Sequence, residues 1–408
     1  MRRRPALLAV VTFGALCCLP AGCGGRFDLP TETPRGQSVP SDSAYAAIAT
    51  WTGMDSVQDL LLTQGLGNQL FALFNHGGTG GPSVPRGEVR LYPLTRPVPI
   101  GAPYFDALRG LFNPVAIAAG QNQLFVLDQG DSCQAKFDVR TGTCRPDVDS
   151  TRIANGNPFR NQIFEYAATW RVRAYGLGGG ETLSTFTDTT MAQPWGISAD
   201  DQGRVYVSGL AVVLDTLQTD QRIRTRKYVS RVYRYVPGPA PPGSADGFMP
   251  GTDAWHRDET WRVFDGTGAS SISDPRRIYW SPAGSHPLFI ADRGNNQVKA
   301  VSSTTIGVSV VRTDGQATGA NLNHPESVTA DLAGFFYLVD RDNRRVLRYD
   351  LSGEFIQRVD VELNADLPPQ PLLDPVSIAV DDSLAYVADR GRSQIIRYQR
   401  RQPQGRQP

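Results

Sequence analysis

The sequence has 408 residues, with 41 Lys and Arg against 40 Asp and Glu, and its formal net charge is +1. This balance gives no bulk electrostatic preference for nucleic acid or for an anionic lipid surface. Hydrophobic residues make up 40% of the chain, which is enough for a core and excludes wholesale disorder. The 41 Gly and 30 Pro favour many short strands joined by tight turns.

The N-terminus has the form of an export signal. Arg2–Arg4 precede an apolar run at 6–19, which is too short to span a bilayer. The run leads into LPAGCGG, which resembles a bacterial lipoprotein signal with Cys23 as the acylated first residue of the mature chain. We therefore predict a signal peptide at 1–22 and a lipid-anchored flexible tether at 23–42, rich in Pro, Thr, Ser and Gly.

Cysteine usage agrees with export to the cell envelope. Cys17 and Cys18 leave with the signal, and Cys133 and Cys144 remain besides the lipidation site. An even pair in an oxidising compartment predicts a disulfide that closes a short surface loop. Two free thiols or half of a metal site are the alternatives. The predicted location is the cell envelope, through a lipid anchor. This means the outer membrane or the periplasmic side if the cell is Gram-negative, and secretion if Cys23 is not acylated.

One pattern recurs along the chain. A Pro opens a short apolar run, a polar turn follows, a second apolar run ends in Asp-Arg, and a third run begins after a small polar loop. The clearest copies are at 274–301, 324–353 and 374–399. Six second runs fit the pattern: NQLFALF at 68–74, NQLFVLD at 122–128, GRVYVSG at 203–209, HPLFIAD at 286–292, GFFYLVD at 334–340 and SLAYVAD at 383–389. Each unit therefore predicts three or four short strands.

The third and fourth runs complete the units. The third runs are GEVRLY, NQIFEY, SRVYRY, NQVKAV, RRVLRY and SQIIRY, and fourth strands are predicted at 170–176, 261–266, 308–315 and 355–360. The last unit has no fourth strand of its own, because the chain ends in a polar tail at 401–408 that we predict to be disordered. AYAAIATWTG at 44–53 precedes the first unit and can supply the missing strand. This exchange closes the array into a ring at 43–400 without exposed sheet edges.

The pattern resembles the NHL repeat. Asp292-Arg-Gly-Asn295 and Asp340-Arg-Asp-Asn343 carry its motif nearly whole, whereas the last unit keeps Asp389 but has Arg392 in place of the Asn. The resemblance covers nearly the whole mature chain and implies an all-β fold, a six-bladed β-propeller whose last blade is closed by the N-terminal strand. A seventh blade could lie only in the long insertions.

Strand alternation in such a blade sorts the insertions between two faces. The loops before the first strand and after the second lie on one face, which we call the upper face. The insertion at 129–161 and a long hairpin at 209–229 are expected there. The loop at 237–259 is expected on the lower face. Long loops on a rigid ring usually carry binding.

The four histidines argue against a zinc lyase. NHL-like amidating lyases hold zinc with His residues near the axis, and a catalytic zinc normally takes three protein ligands. Here His76 and His324 map to the upper face, while His256 and His286 map to the lower face. We therefore predict no metal site and no cofactor.

An enzyme of another kind remains the alternative. Lactonase-like and strictosidine-synthase-like propellers use carboxylate and Asn ligands, or a Glu, at the channel mouth. Glu326 enters the first strand of the fifth unit and is the one weak catalytic candidate. A solvated or salt-bridged Glu326 is the other interpretation. The Asp and Asn of the repeat are interpreted as caps of their own turns.

An arc of arginines is the main candidate for binding. Arg293, Arg341 and Arg390 each follow the motif Asp, so they should line the upper face with Arg276 close by. Guanidinium groups bind carboxylates and phosphates bidentately. Solvated arginines paired with neighbouring Asp are the alternative. Trp195 lies either at the channel mouth or in the core, and His324 is the remaining candidate ligand-binding residue.

The sequence therefore favours a non-enzymatic scaffold at the envelope. We expect it to bind an envelope protein, or an anionic small molecule or glycan, through the face that bears the long loops. The alternative is a lactonase-like hydrolase or a lyase, with Ca or Zn or Glu326 in the channel.

Overall fold

The chain folds into six antiparallel sheets arranged around a central channel, as seen in a computed structural model. The structure describes residues 45–63, 69–76, 86–101, 111–130, 137–138, 143–144, 170–177, 182–188, 190–217, 220–239, 255–263, 270–281, 287–302, 308–311, 321–360 and 371–400. Within these ranges no helix is long and apolar enough to cross a membrane. The first strands of neighbouring blades contact one another in cyclic order, including the first with the sixth. The predicted six-bladed β-propeller is confirmed.

The first half of the chain forms the closing strand and three blades. The closing strand is β1 (Tyr45–Thr52). Blade 1 has β2 (Val57–Thr63), β3 (Gln69–Asn75) and β4 (Gly87–Tyr92). Blade 2 has β5 (Pro114–Gly120), β6 (Gln123–Asp128), a small hairpin of β7 (Phe137–Asp138) and β8 (Thr143–Cys144), then β9 (Arg171–Gly176) and β10 (Thr182–Phe186). Blade 3 has β11 (Met191–Ala199), β12 (Val205–Leu217), β13 (Asp220–Pro237) and β14 (Trp255–Val263).

The second half repeats the unit with shorter loops. Blade 4 has β15 (Pro275–Trp280), β16 (Pro287–Asp292), β17 (Gln297–Ser302) and β18 (Val308–Val311). Blade 5 has β19 (Pro325–Ala330), β20 (Phe336–Asp340), β21 (Arg345–Tyr349) and β22 (Phe355–Arg358). Blade 6 has β23 (Pro375–Val380), β24 (Leu384–Asp389) and β25 (Gln394–Arg400), completed by β1.

The N-terminal strand closes the ring as predicted. β1 pairs antiparallel with β25, from Tyr45 opposite Arg400 to Thr52 opposite Gln394. Trp51 is 1% exposed, and its ring lies 5.7 Å from Tyr386 in blade 6 and 5.8 Å from Tyr92 in blade 1. The strand therefore completes one blade and also packs that blade against the next.

The hydrophobic core is divided among the six interfaces between blades. Each buried cluster joins two neighbouring blades, and together the six clusters close the circle. Both faces of a middle strand are covered, so β24 is buried at every residue of LAYVAD. This double burial explains why the second runs are almost continuously apolar.

Two strand assignments in the sequence were wrong. WRVRAYG was predicted as the fourth strand of its unit, but β9 pairs with β6, with Asp128 opposite Arg171, and is the third strand. The predicted third run, NQIFEY, lies outside the described residues. In blade 3, residues 255–259 were predicted as part of a lower loop but belong to β14, which pairs with β13.

The described parts of two insertions follow the strand order. The β7–β8 hairpin follows the second strand of blade 2 and therefore lies on the upper face. The paired ends of β12 and β13 extend beyond the blade, from Ala211 opposite Val229 to Leu217 opposite Asp220, and form the predicted long upper hairpin. The signal, the tether, the C-terminal tail, Cys23 and Cys133 lie outside the described residues, so lipidation and the disulfide stay predictions.

Candidate functional site

Every blade carries a β-bulge near the start of its first strand. The pairing with the second strand slips by one residue after the opening residue, which is Pro in five blades and Val57 in blade 1. A bulge bends the strand and re-aims side chains, so the next two positions form rings at the upper channel mouth. The outer ring is Gln58, Val115, Trp195, Arg276, Glu326 and Val376, and the inner ring is Asp59, Ala116, Gly196, Arg277, Ser327 and Ser377.

Four guanidinium groups line the upper mouth on blades 4, 5 and 6 and alternate with three carboxylates. In order, this arginine arc and its acids are Arg276, Asp274, Arg293, Glu326, Arg341, Asp374 and Arg390. At the blade 6 end, Arg341 Nε donates to Asp374 at 2.6 Å, and Arg390 Nη2 lies 2.8 Å from the same carboxylate. Burial would raise the pKa of Asp374, but the hydrogen bonds from Arg341 and Arg390 outweigh it and lower that pKa.

The blade 4 end of the arc is less completely bonded. Arg293 Nη1 lies 3.7 Å from Asp274 and 3.9 Å from Glu326, which exceeds hydrogen-bond length. The Nε atoms of Arg276 and Arg293 are buried and have no acceptor among the described residues. Burial lowers the pKa of Arg276 although Glu326 and Asp274 oppose the shift. The carboxylates here therefore replace only part of the solvation that these cations lose.

Trp195 lies at the channel mouth and ends the arc on blade 3. The guanidinium carbon of Arg276 is 4.4 Å from the centre of the Trp195 ring, which is a cation–π contact. This contact orients Arg276. Of the two alternatives for Trp195, the channel mouth is where the structure places it.

On the opposite side of the mouth, described side-chain amides form a chain of hydrogen bonds. Asn75 Nδ2 donates to Asn113 Oδ1 at 2.6 Å, and Asn113 Nδ2 donates to Gln129 Oε1 at 3.0 Å. Gln129 Nε2 then donates to the Pro194 carbonyl at 2.6 Å, which links blades 1, 2 and 3. Among the described residues, the arginine arc therefore lies on blades 4 to 6, and a chain of side-chain amides lies across from it on blades 1 to 3.

The remaining sequence candidates have defined positions. Glu326 lies between Arg293 and Arg341, at 3.9 and 3.5 Å, so the salt-bridged interpretation describes it. His324 is exposed and its Nδ1 lies 2.5 Å from Asp342 Oδ2, while its backbone N–H donates to Asn296. These contacts place His324 beside the arc without joining it, and its role in binding stays a prediction.

The motif aspartates have a structural role, and they do more than cap their own turns. Asp128, Asp292, Asp340 and Asp389 are fully buried. Asp340 accepts from the backbone N–H of Asn323 at 2.7 Å, and the other three accept from the equivalent segments that enter their blades. Each Asp therefore ties the second strand to the segment before the first strand.

A buried ion pair at the axis was missed in the sequence. Arg277 Nε lies 3.3 Å from Asp59 Oδ1, and Arg277 also donates to the carbonyls of Trp195 at 3.0 Å and Gln58 at 2.8 Å. Asp59 accepts from the Ile117 N–H at 2.9 Å and from Ser377 Oγ at 2.7 Å. This axial pair links blades 1, 2, 3, 4 and 6. Burial raises the pKa of Asp59, and Arg277 opposes the shift.

Gly196 makes room for the axial pair. A Cβ at this position would lie 2.3 Å from the Arg276 carbonyl oxygen and 3.0 Å from Arg277 Cα. Ser208 also donates to the Arg276 carbonyl at 2.6 Å, which fixes the same backbone. The absence of a side chain on the inner ring of blade 3 therefore allows Arg277 to reach the axis.

Below the axial pair the channel contains a cavity of about 280 Å³. Its walls come from the first strands of all six blades, and its lower rim includes the exposed residues Gln121, Asn122 and Asp201. Asp59 and Arg277 lie at its upper end. The channel is therefore divided by the axial pair into a charged upper mouth and a lower pocket.

The histidines do not converge in the described part of the chain. His76 lies 2.6 Å from Glu88 in blade 1, and His256 Nδ1 lies 2.9 Å from the Gly238 carbonyl. His286 lies outside the described residues. Among those that are described, no group of three or more His, Cys, Asp or Glu is arranged to hold a metal ion.

Comparisons with known proteins reveal similarity of fold. No protein-family model matches the chain, and no curated protein sequence matches it. Solved structures that resemble it include virginiamycin B lyase from Staphylococcus aureus, at 8% identity over 87% of this chain and 98% of that one, with a TM-score of 0.46. A chain of the nidogen/laminin complex shares 13% identity over 79% and 86%, with a TM-score of 0.45. An auxiliary nutrient binding protein from Bacteroides ovatus shares 13% over 88% and 73%, with a TM-score of 0.48.

Proposed function

We propose that this protein is a non-enzymatic binding propeller held at the cell envelope, and that its upper mouth binds a carboxylate-rich segment of another envelope protein. The observation that carries the proposal is the incomplete bonding of the arginine arc. Four guanidinium groups share three carboxylates, and Arg293 has carboxylates only at 3.7 and 3.9 Å. Partly buried donors without acceptors are costly, so a carboxylate from a partner supplies what the arc lacks.

The arrangement of the mouth favours an extended acidic segment. The arc spans three blades, so successive carboxylates of one chain can meet Arg293, Arg341 and Arg390 in turn. Guanidinium forks bind carboxylates bidentately. The amides on blades 1 to 3 offer neutral hydrogen bonds to the segment's backbone. The β12–β13 hairpin lies on the same face and adds surface for a protein partner.

The position of Glu326 supports the enzyme alternative less well than it supports the binding proposal. General acid–base catalysis requires a carboxyl group within reach of a substrate proton. Two guanidinium groups flank Glu326, whose side chain is 19% exposed. In this position Glu326 serves as a counter-ion that spaces Arg293 and Arg341.

Removing three cations from the arc should weaken binding of an acidic peptide. We expect the triple variant Arg293→Ala/Arg341→Ala/Arg390→Ala to bind fluorescein-labelled deca-glutamate at least about tenfold more weakly than the native protein, because charge-assisted hydrogen bonds are lost. Fluorescence anisotropy at low and physiological salt measures this change, and affinity should fall with salt.

A matched control separates the arc from net charge. Arg262→Ala/Arg358→Ala/Arg400→Ala removes the same charge from β14, β22 and the end of β25, outside the arc, and should bind the peptide nearly as the native protein does. Equal losses in both triple variants, or no loss in the arc variant, would mean that the upper mouth is not the binding site.

Attachment to the envelope is proposed to depend on Cys23. In a Gram-negative expression host, the native chain should incorporate labelled palmitate and sediment with membranes. Cys23→Ser removes the acylation site and should move the protein to the soluble fraction, because the proposed attachment depends on the acyl chains at this residue. Membrane sedimentation of the Cys23→Ser chain would contradict lipid anchoring.

A further inference from the structure

We propose that the lower pocket of the channel binds a small, uncharged, polyhydroxylated molecule no larger than a hexose. This pocket is separated from the upper mouth by the axial pair, so the inference is independent of the function proposed above. Its volume of about 280 Å³ is near the lower limit of ligand pockets. A pocket of this size suits a compact ligand, for which we take about a dozen non-hydrogen atoms.

The walls of the pocket offer both donors and acceptors. The first strand of every blade is the terminal strand of its sheet, so one of its edges faces the channel without a strand partner. Such an edge presents a row of backbone N–H and C=O groups. In the lower half of the wall, Ser198 Oγ accepts from the Trp280 backbone N–H at 2.8 Å and so satisfies one of them. Ala118 and Ala379 occupy the same level in their blades and have no side chain that could do so.

Ser327 is the one inner-ring hydroxyl that has no side-chain partner among the described residues. It is 3% exposed and lines the pocket. The equivalent Ser377 donates to Asp59 and accepts from the Leu60 N–H. The Ser327 hydroxyl can therefore bond to a molecule that occupies the pocket. A ligand hydroxyl in the pocket supplies a partner, because each hydroxyl can donate and accept.

The charge of the upper end selects a neutral ligand. Asp59 and Arg277 balance each other, and their side chains are 5% and 12% exposed. A charged ligand beside this pair would be buried without a counter-ion, which is unfavourable. Apolar wall atoms from Ile197, Ile278 and Val328 suit the C–H faces of a compact polyol.

Titration calorimetry with a defined panel tests the proposal. The neutral probes are D-glucose, D-galactose, myo-inositol and glycerol, and the charged analogues are D-glucuronate and D-glucosamine. At least one neutral probe should bind with a Kd of about 1 mM or tighter, as expected for a ligand of a dozen atoms. The charged analogues should bind at least about tenfold more weakly. Absence of binding by every neutral probe, or preference for a charged analogue, overturns the proposal.

Variants locate the site. Ala119→Phe fills the pocket from its wall and should abolish binding, whereas Ala46→Phe on the outer strand β1 should leave it unchanged. Ser327→Ala should weaken binding about fivefold through one lost hydrogen bond, and it keeps the test valid if Ala119→Phe misfolds. The arc triple variant should bind the neutral probe normally, so this proposal can fail or succeed separately from the upper-mouth function. Undiminished binding by both Ala119→Phe and Ser327→Ala contradicts the location.

Discussion

Replacing Arg277 by alanine is expected to lower the free energy of unfolding by about 3–5 kcal/mol, because it leaves the buried Asp59 carboxylate without a cation. The loss also removes two hydrogen bonds, to the Trp195 and Gln58 carbonyls. Arg277→Lys should recover only part of this energy, since an ammonium group lacks the planar fork that reaches three acceptors on blades 1 and 3. Urea unfolding followed by tryptophan fluorescence measures the difference.

The loss of stability in the Arg277→Ala variant should change with pH in a defined direction. Burial already raises the pKa of Asp59 in the native protein, and Arg277 partly opposes this. Without Arg277 the folded protein binds a proton at Asp59 more strongly than the unfolded chain does. The stability of the Arg277→Ala variant, relative to that of the native protein, should therefore recover as the pH falls towards the raised pKa of Asp59. It should decline as the pH rises above that pKa.

Controls distinguish the axial pair from arginine removal in general. Arg358 is 40% exposed in its ion pair with Asp360, so Arg358→Ala should cost less than about 1 kcal/mol. In a double-mutant cycle, Asp59→Ala should cost much less in the Arg277→Ala background than in the native chain. Additive losses, or a defect that is constant with pH, would show that the pair does not couple these blades.

The fold was predictable because local and global signals agree in most units. The opening Pro, the apolar runs and the buried motif Asp recur, and β1 was needed to complete a blade that lacked a strand. The error in blade 2 has a physical cause. NQIFEY and WRVRAYG are both strand-like and of similar length, so alternation alone could not decide which pairs with β6. The register of Asp128 with Arg171 decided it.

In the candidate site, the arginines of the arc could be predicted from the sequence, but their acidic partners and the axial pair could not. The positions of Arg293, Arg341 and Arg390 follow from the motif Asp before each of them, so their arc could be expected. Their acidic partners come from different segments, and only the folded chain brings these together. Asp59 was missed because blade 1 lacks the opening Pro that marks the ring positions. The bulge register would have identified it, since the second residue after the opening position lies on the inner ring in every blade.

Removing β1 is expected to have the largest effect on the fold. A chain that begins at Gly53 exposes the whole edge of β25 and loses Tyr45 and Trp51, both 1% exposed. The hydroxyl of Tyr45 also lies 2.8 Å from that of Tyr337 in blade 5. Loss of a buried Trp alone costs about 3–5 kcal/mol. The truncated chain should therefore lose cooperative unfolding and form aggregates, as calorimetry and size-exclusion chromatography would show.

A peptide supplied in trans makes this prediction specific to strand pairing. Synthetic YAAIATWT should bind the truncated chain by adding a strand to β25 and should partly restore a monomeric, cooperatively melting species. A scrambled peptide of the same composition should not, because the register places Tyr45 and Trp51 in the core. If the truncated chain stays monomeric and melts like the native protein, β1 is not what closes the ring. Equal rescue by both peptides would mean that general hydrophobic binding, and not the register, stabilises blade 6.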